Sequence, residues 1–415
     1  MPVVVLVGTL DTKGEELRFV RDRVREAGCE TLVVDCGIRS EATDADVSAD
    51  EVAAAVGEER STLAASTDRG PAVMAMTRGT TEIVKRLHTE GRLDAILGVG
   101  GSGGTSIIAP AMRALPVGVP KLLVSTMASG DTSPYVGTSD VAMLHSVVDI
   151  VGLNQLSERI LANAAGGIAG MAQAAAGFRS ALPSRPVVAA TMYGVTTSCV
   201  QTARAWLEDR GYEVLVFHAT GSGGRAMEQL VRSGFISGVL DVTTSELTDE
   251  VVGGTFTAGP ERLDAAAVAG TPQVVSLGAA EIATFGPPET VPPAFSERPL
   301  YRHNEAITLM RISAEESARL GRYIATKLNA ATGPLSVFIP AGGLSSLSVP
   351  GAVFADEAAD AALFEALKDG LRQDIEVIEQ PADVNDPAFA LAMAERLHTY
   401  LERHPDRPES NLPKC

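Results

Sequence analysis

Residues 3–14 are Val-Val-Val-Leu-Val-Gly-Thr-Leu-Asp-Thr-Lys-Gly, and this stretch decides the fold class. The uninterrupted apolar run at 3–7 is typical of a strand buried on both faces. Helical spacing follows over residues 15–27, and a second apolar run follows at 31–35. A strand, a helix and a strand in this order form the unit from which parallel sheets with right-handed crossovers are built. The stretch therefore predicts an α/β protein.

The alternation of helices and strands continues along the first half of the chain. It predicts a helix at 80–90, a strand at 94–97, a helix at 105–115 and a strand at 121–125. The alanine-rich, proline-free residues 147–178 predict one long helix, with Gly166, Gly167 and Gly170 as candidate break points. This pattern is typical of a doubly wound sheet.

A second unit begins after residues 183–186, Pro-Ser-Arg-Pro, whose composition is that of a linker. Strands are predicted at 187–191, 214–217, 238–242, 273–277, 335–339 and 374–378, with closing helices at 356–370 and 387–403. Five prolines within 283–299 predict an ordered loop or lid. We predict two Rossmann-like domains, 1–182 and 187–405, each a mostly parallel sheet flanked by helices, and a polar tail at 406–415.

Composition narrows the class of protein. The 415 residues are 45% hydrophobic and 21% charged, which is ordinary for a globular protein with two cores. A formal net charge of −18 opposes binding to nucleic acids. The four cysteines show no metal-binding or disulfide spacing. With no leader-like N-terminus and no apolar run of about 20 residues, we expect a cytoplasmic protein that does not bind membranes.

The glycine-rich stretch 98–104 lies between a predicted strand and a predicted helix. Glycine permits positive φ and lets backbone N–H groups approach a phosphate, and a helix N-terminus adds partial positive charge. The next acidic residue, Asp131, is too distant for a dinucleotide motif, and no lysine follows the last glycine as in a P-loop. We predict an anion site here rather than a plain turn of small residues. Its candidate residues are Gly100, Gly101, Ser102, Gly103, Gly104 and Thr105.

The turn after the first strand is a second candidate at the same edge of the sheet. Lys13 is a candidate phosphate ligand and catalytic group, and Asp11 is a candidate Mg²⁺ ligand. Alternatively, Thr12 and Glu15 form a helix capping box. The candidate binding residues are Gly8, Thr9, Asp11, Thr12 and Lys13. Asp35 ends the second strand, where an acid can bind ribose hydroxyls.

The turn after the strand at 121–125 contains small hydroxyl residues and a further carboxylate. Thr126, Ser129 and Gly130 are candidate phosphate donors, and Asp131 is a candidate for metal binding or activation of water. A solvated turn is the alternative. Arg78 offers positive charge for a phosphate, although a surface arginine is the commoner case.

In the second unit, the glycine turns at 220–225 and 340–346 have the same character as those of the first and are candidates to bind a carboxylate or phosphate. Ionisable side chains near predicted strand ends or in loops could bind a metal or act as acid and base. Their spacing does not support a metal, and scattered polar residues are the alternative. The candidates are His218, Gly221, Gly223, Asp241, Glu246, His303, Gly342, Gly343 and Ser345, with His303 also a candidate catalytic group.

Six segments occur in an order that resembles one known family. They are residues 8–15, 100–105, 125–131, 241–247, 303–311 and 340–345. The chain resembles the ATP-binding family that includes the plant protein conferring resistance to tomato mosaic virus by inhibiting viral RNA replication, together with its uncharacterised bacterial relatives. This chain has Glu305 where that pattern has proline.

The resemblance covers residues 3 to about 400. It implies a homodimer and an N-terminal domain that holds ATP and Mg²⁺, with the nucleotide on Thr9, Asp11, Thr12, Lys13, residues 101–105 and residues 129–131. The antiviral activity does not transfer, because it requires recognition of a viral partner.

Three functional hypotheses follow. The first is an ATP-binding enzyme of small-molecule metabolism with a second ligand site in the C-terminal domain. The second is a module that senses nucleotide without turning it over. The third is a metal-assisted lyase or hydrolase centred on His218, Asp241, Glu246 and His303.

Overall fold

The computed structural model describes residues 1–179 and 185–403, which form two compact units divided between these two ranges. The predicted linker at 183–186 lies partly, and the tail at 406–415 wholly, outside the described residues. Each unit is an α/β layer structure built on a parallel sheet.

The first unit contains five strands. Its elements are β1 (Val3–Gly8), α1 (Leu10–Glu26), β2 (Glu30–Asp35), α2 (Ala49–Ala54), α3 (Arg60–Ala65), α4 (Arg69–Thr89), β3 (Ala95–Gly100), α5 (Ser102–Arg113), β4 (Lys121–Ser125), α6 (Ser133–Val136), β5 (Ala142–His145) and α7 (Gln155–Gly177). The sheet order is β2-β1-β3-β4-β5, and every pairing is parallel. The chain turns to opposite sides after β1 and after β3, so a topological switch point lies between these two strands.

The apolar strands are buried on both faces, as the sequence predicts. Helices α1 and α7 pack against one face of the sheet. Helices α2, α4 and α5 pack against the other. Residue β-branching and burial on both faces explain why β1, β3 and β4 are almost uniformly apolar.

Some sequence-based boundaries in this unit were wrong. Helix α4 begins at Arg69, because Asp68 caps it by accepting the N–H of Gly70 at 3.0 Å. Residues 146–154 are not helical. Helix α7 begins only after Asn154, whose side chain accepts the N–H groups of Leu156 and Ser157, and it runs unbroken through its glycines to residue 177.

The second unit contains a six-stranded parallel sheet and a three-stranded antiparallel sheet. Its elements are β6 (Val187–Met192), α8 (Thr197–Glu208), β7 (Glu213–His218), α9 (Ser222–Arg232), β8 (Gly238–Thr243), α10 (Ser245–Val252), α11 (Asp264–Ala269), β9 (Gln273–Gly278), β10 (Ile282–Phe285), β11 (Leu300–Arg302), β12 (Thr308–Arg311), α12 (Ala314–Leu328), β13 (Leu335–Pro340), α13 (Glu357–Gly370), β14 (Glu376–Gln380) and α14 (Pro387–Arg403). The large sheet has the order β14-β13-β9-β8-β6-β7, and the small sheet the order β10-β12-β11.

The predicted strands of this unit occur, with β14 displaced two residues toward the C-terminus. The proline-rich stretch 283–299 contains the end of β10 and two short 3₁₀ turns. The small antiparallel sheet itself was not predicted, because its strands are only three or four residues long. Among residues 1–179 and 185–403, the structure contains no helix long and apolar enough to cross a membrane.

Candidate functional site

A cavity of about 780 Å³ lies at the carboxyl edge of the first sheet. Its wall is formed by the turns after all five strands and by residues between α3 and α4. Ligands of open α/β sheets bind at this edge, next to the switch point. Many of the residues singled out from the sequence line the cavity, namely Thr9, Asp11, Thr12, Lys13, Gly101, Ser102, Gly103, Gly104 and Thr126.

The first turn of α5 supplies backbone donors to this cavity. The N–H of Thr105 is bonded to the carbonyl of Gly101 at 2.8 Å, whereas no acceptor is recorded among the described residues for the N–H groups of Ser102, Gly103 and Gly104. None of the glycines from 98 to 104 has a positive φ, so the expected use of positive φ was wrong. A Cβ on Gly101 would meet no atom within 4 Å, so this position is open.

The turn after β1 is held by the carboxylate of Asp35, the last residue of β2. Asp35 is buried and accepts the N–H groups of Leu10 and Gly37 at 3.1 and 2.9 Å. Burial raises the pKa of Asp35, against the hydrogen bonds it accepts from Ser40, Gly37 and Leu10. Asp35 therefore shapes the turn after β1 and does not line the cavity. The structure offers no support for a contact between Asp35 and a ribose.

Lys13 and Asp11 stand at the cavity wall. Lys13 breaks the helical geometry of α1, with φ −131° and ψ 20°, and its ammonium donates to the carbonyl of Ile150. Asp11 accepts the N–H of Arg39 through Oδ2 at 3.1 Å. No hydrogen bond to Asp11 Oδ1 is recorded within the described residues, so that oxygen is available to a cation.

Several predicted residues lie near the cavity but do not line it. Gly8 and Gly100 are packing positions, since a Cβ would fall 2.2 Å from the Leu17 side chain or 2.8 Å from the backbone of Gly104. The Thr105 hydroxyl is bonded to Ser125 at 2.6 Å and is buried. Arg78 lies exposed in the middle of α4.

The turn containing Ser129, Gly130 and Asp131 is exposed and outside the cavity wall. The carboxylate of Asp131 accepts the N–H and the hydroxyl of Ser133 at 3.0 and 2.6 Å. These hydrogen bonds lower the pKa of Asp131. The geometry favours a local role at the start of α6 over activation of water.

In the second unit, the turn at 221–224 already holds an anion of the protein itself. Oε1 of the buried Glu246 accepts the N–H groups of Gly221 and Gly224 at 2.7 and 3.0 Å. A Cβ on Gly224 would lie 2.1 Å from this carboxylate. The expectation that this turn grips a ligand was wrong, because Glu246 fills it. Gly223 is confined by the backbone of His218, 1.9 Å from a Cβ at that position.

Asp241 and Glu246 belong to a buried ion network around Arg262. The guanidinium contacts Asp241 through two nitrogens, at 2.5 and 2.7 Å, and Glu246 at 2.8 Å, with Glu228 at 3.5 Å. Although burial by itself lowers the pKa of Arg262, these carboxylates raise it well above its ordinary value. His218 and His303 are exposed. No group of three or more His, Cys, Asp or Glu arranged to hold a metal occurs in residues 1–179 and 185–403.

The turn at 342–346 is also internally bonded. The N–H of Gly342 donates to Ala382, that of Gly343 to Pro340, and that of Ser345 to the hydroxyl of Ser348. The Ser345 hydroxyl contacts the buried carboxylate of Glu281. Its donors have partners within the fold.

Comparison with known proteins assigns the chain to a family. Residues 2–177 match the N-terminal domain of the uncharacterised protein family UPF0261, and residues 185–401 match its C-terminal domain. The chain belongs to the UPF0261 family. The chain is 49% identical to a UPF0261 protein of Clostridium tetani over 402 residues, covering 96% of this chain and 99% of that protein.

The plant relatives of this UPF0261 protein are longer. The tomato (Solanum lycopersicum) ToMV resistance protein Tm-1(GCR237) is 39% identical over 427 residues, covering 97% of this chain and 56% of the tomato protein. The tomato ToMV susceptible protein tm-1(GCR26) is 38% identical over 425 residues, with 97% and 56% covered. The resemblance to the family of the tomato resistance protein and its bacterial relatives is thereby confirmed, while ATP binding stays a prediction. The resistance and susceptible forms are about equally similar to the chain.

Among solved structures, that of Acinetobacter baumannii MurG covers 96% of the chain at 11% identity with a TM-score of 0.24, which is too low to carry an argument.

Four charged or ionisable residues that line the cavity of this UPF0261 protein were missed in the sequence. They are Arg39, Arg69, His145 and Asp149. Arg69 precedes the predicted start of its helix, and His145 ends a strand too short to be recognised. The Asp68-x-Gly70 capping pattern is the one signal that could have moved the start of α4 to Arg69.

Proposed function

We propose that the N-terminal unit binds a nucleoside polyphosphate, ATP with Mg²⁺, in the cavity at the carboxyl edge of its sheet. The observation that carries the proposal is the group of N–H donors at Ser102, Gly103 and Gly104, three residues that line this cavity and whose N–H groups have no acceptor among residues 1–179 and 185–403. Such donors at the N-terminus of a twelve-residue helix bind phosphate oxygens and are assisted by the helix dipole.

Charge in the cavity supports the same ligand. The wall contains the cations Lys13, Arg39 and Arg69 against the carboxylates Asp11 and Asp149, in a chain whose net charge is −18. A locally cationic site in an acidic protein concentrates anionic ligands. The volume is within the range of roughly 300–1,000 Å³ typical of small-molecule sites.

Arg69 lies close to the donors of α5. A Cβ on Gly103 would be 3.3 Å from a guanidinium nitrogen of Arg69. No ion pair of Arg69 occurs in the part of the chain that the structure describes. A guanidinium without a carboxylate partner beside free N–H groups suits a phosphate.

The chain's residues also fit Mg²⁺ bound with the nucleotide. Asp11 lines the cavity and its Oδ1 accepts no hydrogen bond within the described residues, and Mg²⁺ in nucleotide sites takes one or two carboxylates plus phosphate oxygens. The bound ion would screen the phosphate charge. Whether the protein turns ATP over, as an enzyme, or only senses it is decided by measuring formation of ADP.

Calorimetric titration with Mg·ATP and thermal unfolding test the binding. At a ligand concentration of about 100 times Kd, we expect the bound state to be about 2.7 kcal/mol more stable. Arg69→Gln should weaken binding about tenfold, because a charge-assisted hydrogen bond contributes about 1.5–3 kcal/mol.

Arg78→Gln is the matched control, since it removes the same charge from the same helix outside the cavity, and it should leave Kd unchanged. Absence of any thermal shift of the wild type at millimolar Mg·ATP would refute the proposal. Equal weakening by both variants would indicate general electrostatics in place of a site.

A further inference from the structure

We propose that the nucleotide lies in one direction along the cavity, with its terminal phosphate toward β5, and that residues 145–149 form a subsite for the hydroxyl-bearing molecule that receives this phosphoryl group. The inference rests on the proposed nucleotide binding. It locates the second substrate in the first unit, at the end of the cavity that the nucleoside leaves open.

The cavity has two unlike ends. One end, the apolar end, lies between α3 and α4 and beyond β2, where Ile38, Leu63, Ala64 and Ala72 line the wall together with Arg39, Ser66, Thr67 and Arg69. The other end lies beyond β4 and β5 and is formed by Thr126, Met127 and residues 145–149. Four strand spacings separate β2 from β5, a distance of roughly 19 Å, which an extended nucleoside triphosphate can occupy. An apolar wall suits a base.

Two cations of the cavity wall, Arg69 and Lys13, lie on different sides of the first turn of α5. Arg69 belongs to the segment that forms the apolar end and lies beside Gly103. Lys13 is bonded to the carbonyl of Ile150, next to the end formed by residues 145–149. A polyphosphate that contacts both cations therefore runs from Arg69 to Lys13, and its terminal phosphate approaches the segment after β5, which Lys13 contacts at Ile150.

His145 is placed to meet that phosphate or its acceptor. It is half-buried in the cavity wall, and no hydrogen bond to its imidazole is recorded within the described residues. Within the described residues, the carboxylate of Asp149 accepts one hydrogen bond, from the N–H of Ile150 at 2.8 Å. An imidazole and a carboxylate beside a bound phosphate are suited to accept a proton.

The backbone beside His145 carries an independent sign of function. Val147 has φ 63°, and the N–H of Val148 donates to the carbonyl of Ser146 at 2.7 Å, which closes a γ-turn. A β-branched residue strongly disfavours positive φ. The Val147 side chain is 61% exposed, so no packing of the side chain explains the strain. Strained backbone of this kind clusters at ligand sites.

The bonds and the proton of the proposed phosphoryl transfer are all accounted for. The acceptor oxygen forms a bond to the terminal phosphorus, the bond from this phosphorus to the bridging oxygen breaks, and the nucleoside diphosphate leaves. The acceptor proton passes to a ring nitrogen of His145. The acceptor is a molecule with a free hydroxyl group.

Modification of histidine by diethyl pyrocarbonate, followed by mass spectrometry of the full chain, tests the direction. With Mg·ATP or ADP at about 100 times Kd nearly all sites are filled. We expect Mg·ATP to slow modification of His145 at least about fivefold in that state, and ADP to slow it less than about twofold. The exposed His218 and His303 are internal controls whose rates should not change.

Equal protection by ADP, or no protection by either nucleotide although calorimetry shows both bound, overturns the direction. If calorimetry shows no binding, the proposed nucleotide site itself fails.

The acceptor subsite is tested with water, the smallest hydroxyl acceptor, through formation of ADP from Mg·ATP. His145→Gln should lower this rate at least about tenfold with Kd unchanged, since a general base contributes about 100-fold or more. An unchanged rate, or no ADP formation by the wild type over a day, overturns the subsite and leaves a binding protein.

Discussion

Glu246 shows at the scale of one residue how a glycine turn is satisfied. Its carboxylate accepts two N–H groups at the start of α9 while bonded to Arg262. A ligand phosphate would make the same bonds at the start of α5, where the N–H groups of Ser102, Gly103 and Gly104 have no acceptor within the described residues. A structural turn thus differs from a binding turn by one carboxylate, which another part of the chain supplies.

Asp249 is a second buried acid, and its two carboxylate oxygens differ in hydrogen bonding. Its Oδ1 accepts the N–H of Thr284 at 2.6 Å, while Oδ2 has no partner in the described residues. Burial raises the pKa of Asp249 well above its ordinary value. A raised folded-state pKa means that the unfolded chain loses this proton first, so stability declines as pH rises above about 4.

Asp249→Asn should therefore gain stability relative to the wild type as pH rises. The neutral amide keeps an oxygen that accepts the Thr284 N–H. Because the amide does not ionise, its contribution to stability does not change with pH. The difference in free energy of unfolding should shift in favour of the variant by up to about 1.4 kcal/mol per pH unit in the interval between the unfolded and folded pKa values. Urea unfolding at pH 4, 6 and 8 measures it.

Asp369→Asn, at an exposed position on α13, controls for loss of a charge as such. A difference between Asp249→Asn and the wild type that stays constant over this pH range would show that Asp249 is ionised in the folded protein.

Among the helices, α4 joins the core to the candidate site. Its N-terminal residue, Arg69, lines the cavity, while Gly79 in its middle lies directly against α2. A Cβ on Gly79 would fall 2.1 Å from the carbonyl oxygen of Val52. Glycine lets the two helices touch, and this contact holds the wall of the cavity in place.

Gly79→Ala should destabilise the protein, although alanine is the better helix former by about 1 kcal/mol. The added Cβ would overlap backbone atoms, which cannot move aside by changing rotamer. We therefore expect the free energy of unfolding to fall by a net amount of roughly 1–3 kcal/mol. Gly166→Ala on α7 is the matched control, because a Cβ there meets nothing within 4 Å. It should stabilise by about 0.5–1 kcal/mol. Urea unfolding of both variants measures the contrast, and equal effects would contradict the packing argument.

At the scale of the whole molecule, the chain builds separate cores in its two units. The apolar clusters of the first unit draw on residues 4–172. Those of the second draw on residues 187–397. A unit with its own core and a complete sheet has what it needs to fold alone.

A chain of residues 1–179 should therefore fold and bind Mg·ATP with a Kd within about threefold of the full chain, because the whole proposed cavity belongs to this unit. Circular dichroism and calorimetry check the two parts. Cooperative unfolding with lost binding would indicate that the second unit completes the site, and failure to fold would contradict the independence of the core.

Much of the fold followed from local pattern. The apolar runs of β1 and β4 predicted their strands closely, because burial on both faces leaves an uninterrupted signal. Shorter elements, such as β5 and the three strands of the small sheet, were missed since three or four residues carry too little periodicity. Residues 147–154 were wrongly assigned to a helix because alanine-rich sequence continues beyond them.

The sequence by itself determined that this protein has two α/β units and that glycine-rich and hydroxyl-rich turns follow the strands of the first. Tertiary structure alone decided which turns are open, since the carboxylate of Glu246 closes one turn from 22 and 25 residues away. It also brought Arg69 to Gly103 and residues 145–149 to the same cavity. The physical reason is that a donor's availability depends on partners distant in the chain, which no local pattern contains.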